Sequence, residues 1–274
     1  MTAIVGFTCL EGVMMMADTE ETTSADTKSD CDKLYHFPSP DGIVVTGGAG
    51  DAHLIECANQ EMHHFFAKGE FQKPDVLLNG EELRTALNDF AQEFFAGTIA
   101  QFAGMSPALV PGFDMLIAVN LHRKSTLLFR WTYNRVRWIP QGIHDCIGAG
   151  VTQLHPMLRD FEFIPTKETT LFCGIRMMLQ AKRIVQGVGG KTEALFLNHD
   201  GSLMTYGTEN TLRIESLVGN FEQFLNKFVY TTISNVSPDL AEREENSINA
   251  LKMLPETLKG YRDRYRELLE NPIM

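Results

Sequence analysis

The chain is poor in the features that would assign it to a class at once. Its five cysteines (Cys9, Cys31, Cys57, Cys146 and Cys173) are odd in number, scattered and nowhere in CxxC spacing. That excludes a disulfide framework or a cysteine-rich zinc site as the basis of the fold, and fits reduced thiols in a cytoplasm. No apolar run approaches the ~20 residues of a membrane span. Cations are in the minority: 24 Lys and Arg stand against 35 Asp and Glu, a formal net charge of −11. A broad phosphate-binding face therefore lacks the charge it needs. The opening segment has no basic start and contains Glu11, Asp18 and Glu20, so it does not read as a secretion signal. Internal repeats and low-complexity tracts are missing. The expectation is a soluble, cytoplasmic protein that binds neither nucleic acid nor membrane.

What is present is 274 residues with an ordinary 44% hydrophobic content, enough for one large domain or two small ones. Short apolar runs at 3–9 and 12–17, split by Glu11-Gly12, predict a buried strand hairpin. Leu34–Phe37 and Gly42–Thr46 predict a second pair across Pro38-Ser39-Pro40-Asp41. The period then changes to helical. Leu54, Ala58, Met62 and Phe66 follow Asp51, and Leu83, Ala86, Leu87, Phe90 and Phe94 follow the capping-box-like Asn79-Gly80-Glu81-Glu82. Residues 97–113 read as a loop. Strands are expected at 114–121 and 126–132, with a further pair at 135–139 and 145–148. Helices are expected near 152–160 and at 166–185, strands at 193–197 and 202–206, and a helix at 212–229. Blocks of strands and helices segregated in this way fit two stacked antiparallel sheets with helices outside, an α+β, four-layer αββα sandwich, rather than alternating βαβ units. From Pro238 onward the chain is dense in charge and sparse in large apolar residues. The expected division is a domain over 1–236 and a helical extension over 237–274, broken near Pro255.

Thr2 lies directly behind Met1. Removal of Met1 would place a hydroxyl and a free α-amine on one residue. An α-amine has an unperturbed pKa of roughly 7.7–8.0, so at neutral pH part of it can take the hydroxyl proton. This is a recognised form of nucleophile-plus-base catalysis.

Several landmarks then fall in register: Thr2-Ala3-Ile4-Val5-Gly6, Gly12-Val13, Ala17-Asp18-Thr19, Asp32-Lys33-Leu34 and Gly47-Gly48-Ala49-Gly50-Asp51-Ala52. Together they resemble the start of proteasome β-subunits, which are N-terminal nucleophile (Ntn) hydrolases, and of their bacterial relatives, the HslV protease and the Anbu-type proteins. The match covers roughly residues 2–66. The resemblance implies that Thr2 is the nucleophile and its α-amine the proton acceptor. It implies that Lys33 lowers the amine pKa as a nearby cation, that Asp18 holds Lys33, and that the Gly47 N–H stabilises the oxyanion. It further implies that the backbone at Thr22 pairs with an extended substrate and that Val45 lines the first specificity pocket. The implied activity is threonine-type peptide or amide hydrolysis without metal or organic cofactor. The setting would be a homo-oligomeric ring or helical stack that takes peptide or unfolded protein, with an unfoldase partner undetermined.

The chain also departs from that pattern. Gly148-Ala149-Gly150 carries alanine where the family usually has serine. The stretch Ala181–Gly187 offers Ile184 and glycine where the family often has aspartate and serine. Two other readings follow: a non-catalytic assembly subunit, and an Ntn amidase acting on small substrates. Asp18 and Lys33 would also be explained as a structural ion pair. Gly47–Gly50 lacks the GK[ST] ending of a phosphate loop and reads as a strand-to-helix turn. His53, His63 and His64 read as a solvated helix face. The aromatic and arginine run Phe129–Trp138 reads as a hairpin turning at Tyr133-Asn134, and Cys9 and Cys57 read as packed thiols with nothing basic beside them.

Overall fold

The computed structural model describes residues 2–22, 28–40, 42–68, 80–99, 111–121, 125–149, 151–158, 166–233 and 240–270. They divide into two compact units, Met1–Thr208 and Glu209–Met274. The expected boundary at 236/237 falls inside the second unit.

The first unit contains twelve strands in three sheets among the described residues. One five-stranded sheet has the order β10-β1-β2-β11-β12, from β1 (Ala3–Thr8), β2 (Gly12–Asp18), β10 (His144–Gly148), β11 (Thr192–Asn198) and β12 (Leu203–Tyr206). The other has the order β5-β6-β7-β8-β9, from β5 (Leu34–Ser39), β6 (Gly42–Gly50), β7 (Phe113–Leu121), β8 (Ser125–Thr132) and β9 (Arg135–Ile139). A small sheet pairs β3 (Glu20–Thr22) with β4 (Lys28–Asp30). All the pairings are antiparallel.

Strand alternation decides the layers. Val13, Met15, Ala17, Leu195 and Leu197 of the first sheet meet Leu34, Val45, Leu116, Ala118 and Leu128 of the second in one buried cluster between the sheets. The outer face of the second sheet carries α1 (Ala52–Ala67) and α2 (Gly80–Ile99) over Val44, Met115, Ile117, Phe129 and Trp131. The outer face of the first carries α4 (Lys167–Ile184), where Gly174 lets Met16 and Phe7 approach closely, and α3 (Val151–Leu158) beside β10. The αββα sandwich expected from the element order is the observed architecture. Each layer has one apolar face to bury, and stacking the sheets buries both inner faces at once.

Local signals set several boundaries. The Asp51 side chain caps α1 by accepting the Leu54 N–H at 3.0 Å, and Thr166 caps α4. Tyr133, at φ 48°, turns the β8–β9 hairpin. Trp131 is buried among the rings of Phe90, Phe94 and Phe113, which accounts for the aromatic run as core.

Four expectations for the first unit are corrected. The strands at 135–139 and 145–148 do not pair. β9 pairs with β8, while β10 crosses to the other sheet and pairs with β1, because the chain between them carries the crossing from one layer to the other. The segment Gly47–Gly50 is the end of β6, in register with Leu116, Met115, Asp114 and Phe113 in that order, and the turn into α1 is left to Asp51. The fully buried row of α2 is Leu83, Leu87, Ala91 and Phe95, with Ala86, Phe90 and Phe94 half-buried beside it. His53 lies 3.8 Å from the Cys57 sulfur, so that thiol does have a basic neighbour.

The second unit contains α5, which begins at Thr208 and runs to Ile233, and α6 (Leu240–Glu270). They run antiparallel: Tyr261 packs its ring on Phe221 and Phe224, and its hydroxyl donates to the Asn220 carbonyl at 3.1 Å. The expected break at Pro255 is absent, and α6 continues through it. Proline removes one N–H and leaves the carbonyl one turn earlier unpaired. That carbonyl belongs to Leu251, an exposed residue, so water can take the vacant bond. Asn79, Asp41, Gly150 and most of the loop expected at 97–113 lie outside the described residues.

Candidate functional site

The site begins with the β1–β2 pairing. Ile4 opposite Ala17 brings Asp18 beside Ala3, and the Ala3 N–H donates to Asp18 Oδ1 at 2.8 Å. The other oxygen of that carboxylate, Oδ2, lies 3.0 Å from Lys33 Nζ and accepts the Gly189 N–H at 3.3 Å. Lys33 Nζ also donates to the Glu20 carbonyl at 2.6 Å. Asp18 is fully buried and the Lys33 side chain is 8% exposed. A charge removed from water is tolerable where its partner and its remaining hydrogen bonds are fixed in this way.

Thr2 is held by its carbonyl, which accepts the Ala149 N–H at 2.8 Å. Gly148, at φ +95°, makes that contact possible. Thr2 is half-buried and opens into a cleft of about 860 Å³. Lys33, Gly48, Ala49, Gly50, Gly148 and Ala149 line the same cleft, as do Glu21, Cys31 and Tyr35. Thr2, Asp18 and Lys33 are therefore brought together: two face one cleft, and the third bonds both to Lys33 and to the peptide that follows Thr2.

The remaining expected residues are placed differently. Gly47 is buried in β6, in register with Leu34 and Leu116, and a Cβ there would lie 2.7 Å from a Leu34 methyl. The β6 residues that line the cleft are Gly48, Ala49 and Gly50. Val45 is 1% exposed and packs between the sheets. Thr22 ends β3 in register with Lys28, one residue beyond the cleft-lining Glu21. Ala149 and Ile184 are both exposed, the latter at 55%.

Burial and the Glu21 carboxylate push the Cys31 thiol up from its ordinary pKa, and burial raises the Tyr35 phenol. Among the described residues no group of three or more His, Cys, Asp or Glu is arranged to hold a metal ion. No described helix is long and apolar enough to cross a membrane.

One site residue was not anticipated. Glu193 Oε2 accepts the N–H groups of both Lys33 and Leu34, at 3.0 and 3.1 Å. The signal was in the sequence: period two puts Glu193 on the face of β11 that carries Leu195 and Leu197, so a carboxylate stands where an apolar residue is expected.

Superposition on solved structures settles the fold. Anbu (ancestral beta-subunit) from Yersinia bercovieri matches with a TM-score of 0.61 and 16% identity, over 87% of this chain and 98% of that one. The fold is that of the Anbu proteins. The helical assembly of the Anbu complex from Pseudomonas aeruginosa matches at 0.64 and 14%, over 87% and 99% of the two chains. An Anbu (Gly-1) mutant from Hyphomicrobium sp. strain MC1 matches at 0.62 and 13%, over 83% and 97%. Of the bacterial relatives expected from the sequence, these comparisons support the Anbu type. No protein-family model matches the chain, and no curated protein is significantly similar to it. Identity this low carries the Anbu fold across and leaves the chemistry to be argued from the residues.

Proposed function

We propose that the protein is a threonine-type N-terminal nucleophile hydrolase of amide bonds, acting on peptide or unfolded protein inside a homo-oligomer. The observation that carries this reading is the link from Thr2 through the Ala3 N–H to Asp18 and on to Lys33, at the edge of a cleft of about 860 Å³.

In this mechanism Thr2 Oγ attacks the substrate carbonyl carbon while the α-amine takes its proton. Lys33, held cationic by Asp18, lowers the amine pKa and stabilises charge beside the nucleophile. The oxyanion is met by backbone N–H groups of the glycine-rich β6 end, Gly47 by resemblance and Gly48 by its place in the cleft. The protonated amine returns its proton to the leaving nitrogen, the C–N bond breaks, and an acyl ester remains on Thr2. Water deprotonated by the amine then hydrolyses the ester. Thr22, next to the cleft-lining Glu21, supplies backbone for an extended substrate.

The solved helical assembly of an Anbu complex supports a homo-oligomer. A specific observation favours a second reading, a non-catalytic assembly subunit: Ala149, whose N–H bonds the Thr2 carbonyl, offers no polar side chain to orient the Thr2 amine, and by resemblance Ile184 offers none either. Two measurements separate the readings. Intact mass shows whether Met1 is removed, and retention of Met1 excludes the enzyme. An epoxyketone or β-lactone probe should then label wild type at Thr2 and leave Thr2→Ala untouched; an unlabelled mature wild type favours the assembly subunit. A peptide library compared with small acyl-amides separates a peptidase from an amidase.

A further inference from the structure

We propose that Glu193 is a positioning residue for Lys33, a role that rests on the reading of Thr2 as the nucleophile. Among the described residues β5 is the edge strand of its sheet, so its outward N–H groups have no strand there to receive them. Glu193 takes the place of that strand. It stands on β11 in the opposite sheet, in register with Ala17, one residue from the Thr192–Asp18 pair. Its side chain crosses the inter-sheet space, and one oxygen receives two consecutive amides, Lys33 at 3.0 Å and Leu34 at 3.1 Å. Lys33 is thereby fixed at both ends. Glu193 holds its backbone, while Asp18 and the Glu20 carbonyl hold its ammonium at 3.0 and 2.6 Å. β2 and β11 are paired neighbours, so the two carboxylates that grip Lys33 belong to one rigid ladder. β2 also carries the carboxylate bonded to the Ala3 N–H. Movement of Lys33 relative to Thr2 is limited by this shared frame, and a misplacement of about 1 Å at a reacting centre can cost on the order of a hundredfold in rate.

The chemistry of the clamp separates this role from a purely structural one. Burial pushes the Glu193 carboxyl up from its ordinary value, opposed by the Lys33 and Leu34 N–H groups; Asp32 raises it further and the Lys33 charge lowers it. Tyr35, another titratable group near it, is raised in part by the Glu193 charge. A carboxylate with a raised folded pKa contributes most to stability below its unfolded value and loses that contribution as pH rises. What Glu193 supplies is an acceptor of the right reach for two amides.

The test compares Glu193→Gln, Glu193→Asp and Glu193→Ala in the full-length mature protein. Gln keeps the acceptor at the same reach and removes the charge; Asp keeps the charge and withdraws the acceptor by one methylene. The first readout is kinact and KI for the threonine-directed probe. Glu193→Ala and Glu193→Asp should lower kinact about tenfold with KI unchanged, and Glu193→Gln should stay within about threefold of wild type. The second readout needs no activity: acylation of Lys33 by an amine-directed reagent, followed by mass spectrometry. It should accelerate about tenfold in Glu193→Ala and Glu193→Asp and stay at the wild-type rate in Glu193→Gln, because a released Lys33 leaves its buried pair more often. Wild-type acylation rates in Glu193→Asp overturn the proposal, as does Glu193→Gln behaving like Glu193→Asp in either readout. If the alanine variant does not fold, the Gln and Asp pair still decides. If wild type is not labelled at Thr2, the hydrolase reading fails on its own, and Lys33 acylation still reports whether Glu193 holds that residue.

Discussion

A side-chain carbon at Gly148 would stand 1.9 Å from the carbonyl oxygen of Thr2. Gly148 also sits at φ +95°, where L side chains are strained. The last residue of β10 therefore has no side chain because the candidate nucleophile occupies that space. Gly148→Ala is expected to push Thr2 away from the Ala149 N–H and reduce probe labelling at Thr2 by about a hundredfold or more, with the fold retained by circular dichroism. Labelling at the wild-type rate would show that Thr2 is not held by this contact.

The Asp18–Lys33 pair yields a prediction with two separable parts. Removing one partner leaves the other charge buried, which typically costs about 3–5 kcal/mol. Asp18→Ala and Lys33→Ala should each lose stability of that order in denaturant titration, and both should lose Thr2 labelling. The double replacement Asp18→Leu with Lys33→Met removes both charges. It should recover most of the stability while remaining unlabelled. Recovered labelling in the double variant would show that the pair serves the fold alone.

His199 gives a pH dependence away from the cleft. Its Nδ1 accepts the Thr126 N–H at 3.0 Å, which requires a neutral ring, and burial lowers its pKa below the ordinary 6.5. Between the folded and unfolded pKa values the unfolded chain binds more protons. The contribution of His199 is therefore fully present above about 6.5 and is lost as pH falls through the lowered value. Denaturant midpoints should drop between pH 7 and pH 5, and His199→Gln should flatten that slope. Glu193 acts in the opposite sense, so the informative quantity is the difference between wild type and His199→Gln.

Cys31 is the thiol that lines the cleft, and it offers the obvious rival nucleophile. Burial and Glu21 hold its pKa above the ordinary 9.0, and burial takes Cys9 to about 11 and Cys146 to about 12. A thiol so protonated at neutral pH reacts slowly. Cys31→Ser should label at Thr2 as wild type does, and iodoacetamide at pH 7 should modify Cys31 slowly. Rapid alkylation accompanied by loss of labelling would transfer the chemistry to the thiol.

The C-terminal helix poses a question of assembly. Truncation before residue 238 removes α6 and uncovers Phe221 and Phe224, on which Tyr261 packs. We expect the particle mass by light scattering to change, because α6 presents Ile248, Leu251, Met253 and Leu258 as exposed apolar side chains along a charged helix. An unchanged mass would remove α6 from the subunit interfaces.

Much of the fold was legible because periodicity is a local property. Met14, Met15 and Met16 had to be strand, and Leu54, Ala58, Met62 and Phe66 had to be one helical stripe. Partners were less legible. Residues 135–139 and 145–148 look like a hairpin in one dimension, and only the competition between β1 and β9 for β10 shows that they lie in different sheets. Gly47–Gly50 looked like a turn because glycine is the usual residue of turns, but in β6 the absent side chains make room for Leu34, Ile4 and Ile55. Glu193 carried a readable anomaly, a charge on an apolar face, whose meaning depends on where Lys33 lies.

The order of elements, the alternation that buries one face of each strand, and the supply of Thr2, Asp18 and Lys33 were written in the chain itself, because each depends on neighbours a few residues away. Which carboxylate meets which amine, and which glycine yields to which backbone atom, was decided only when two sheets closed on each other. Two of those contacts, Glu193 with Lys33 and Gly148 with Thr2, join residues more than a hundred positions apart, where no local pattern announces them.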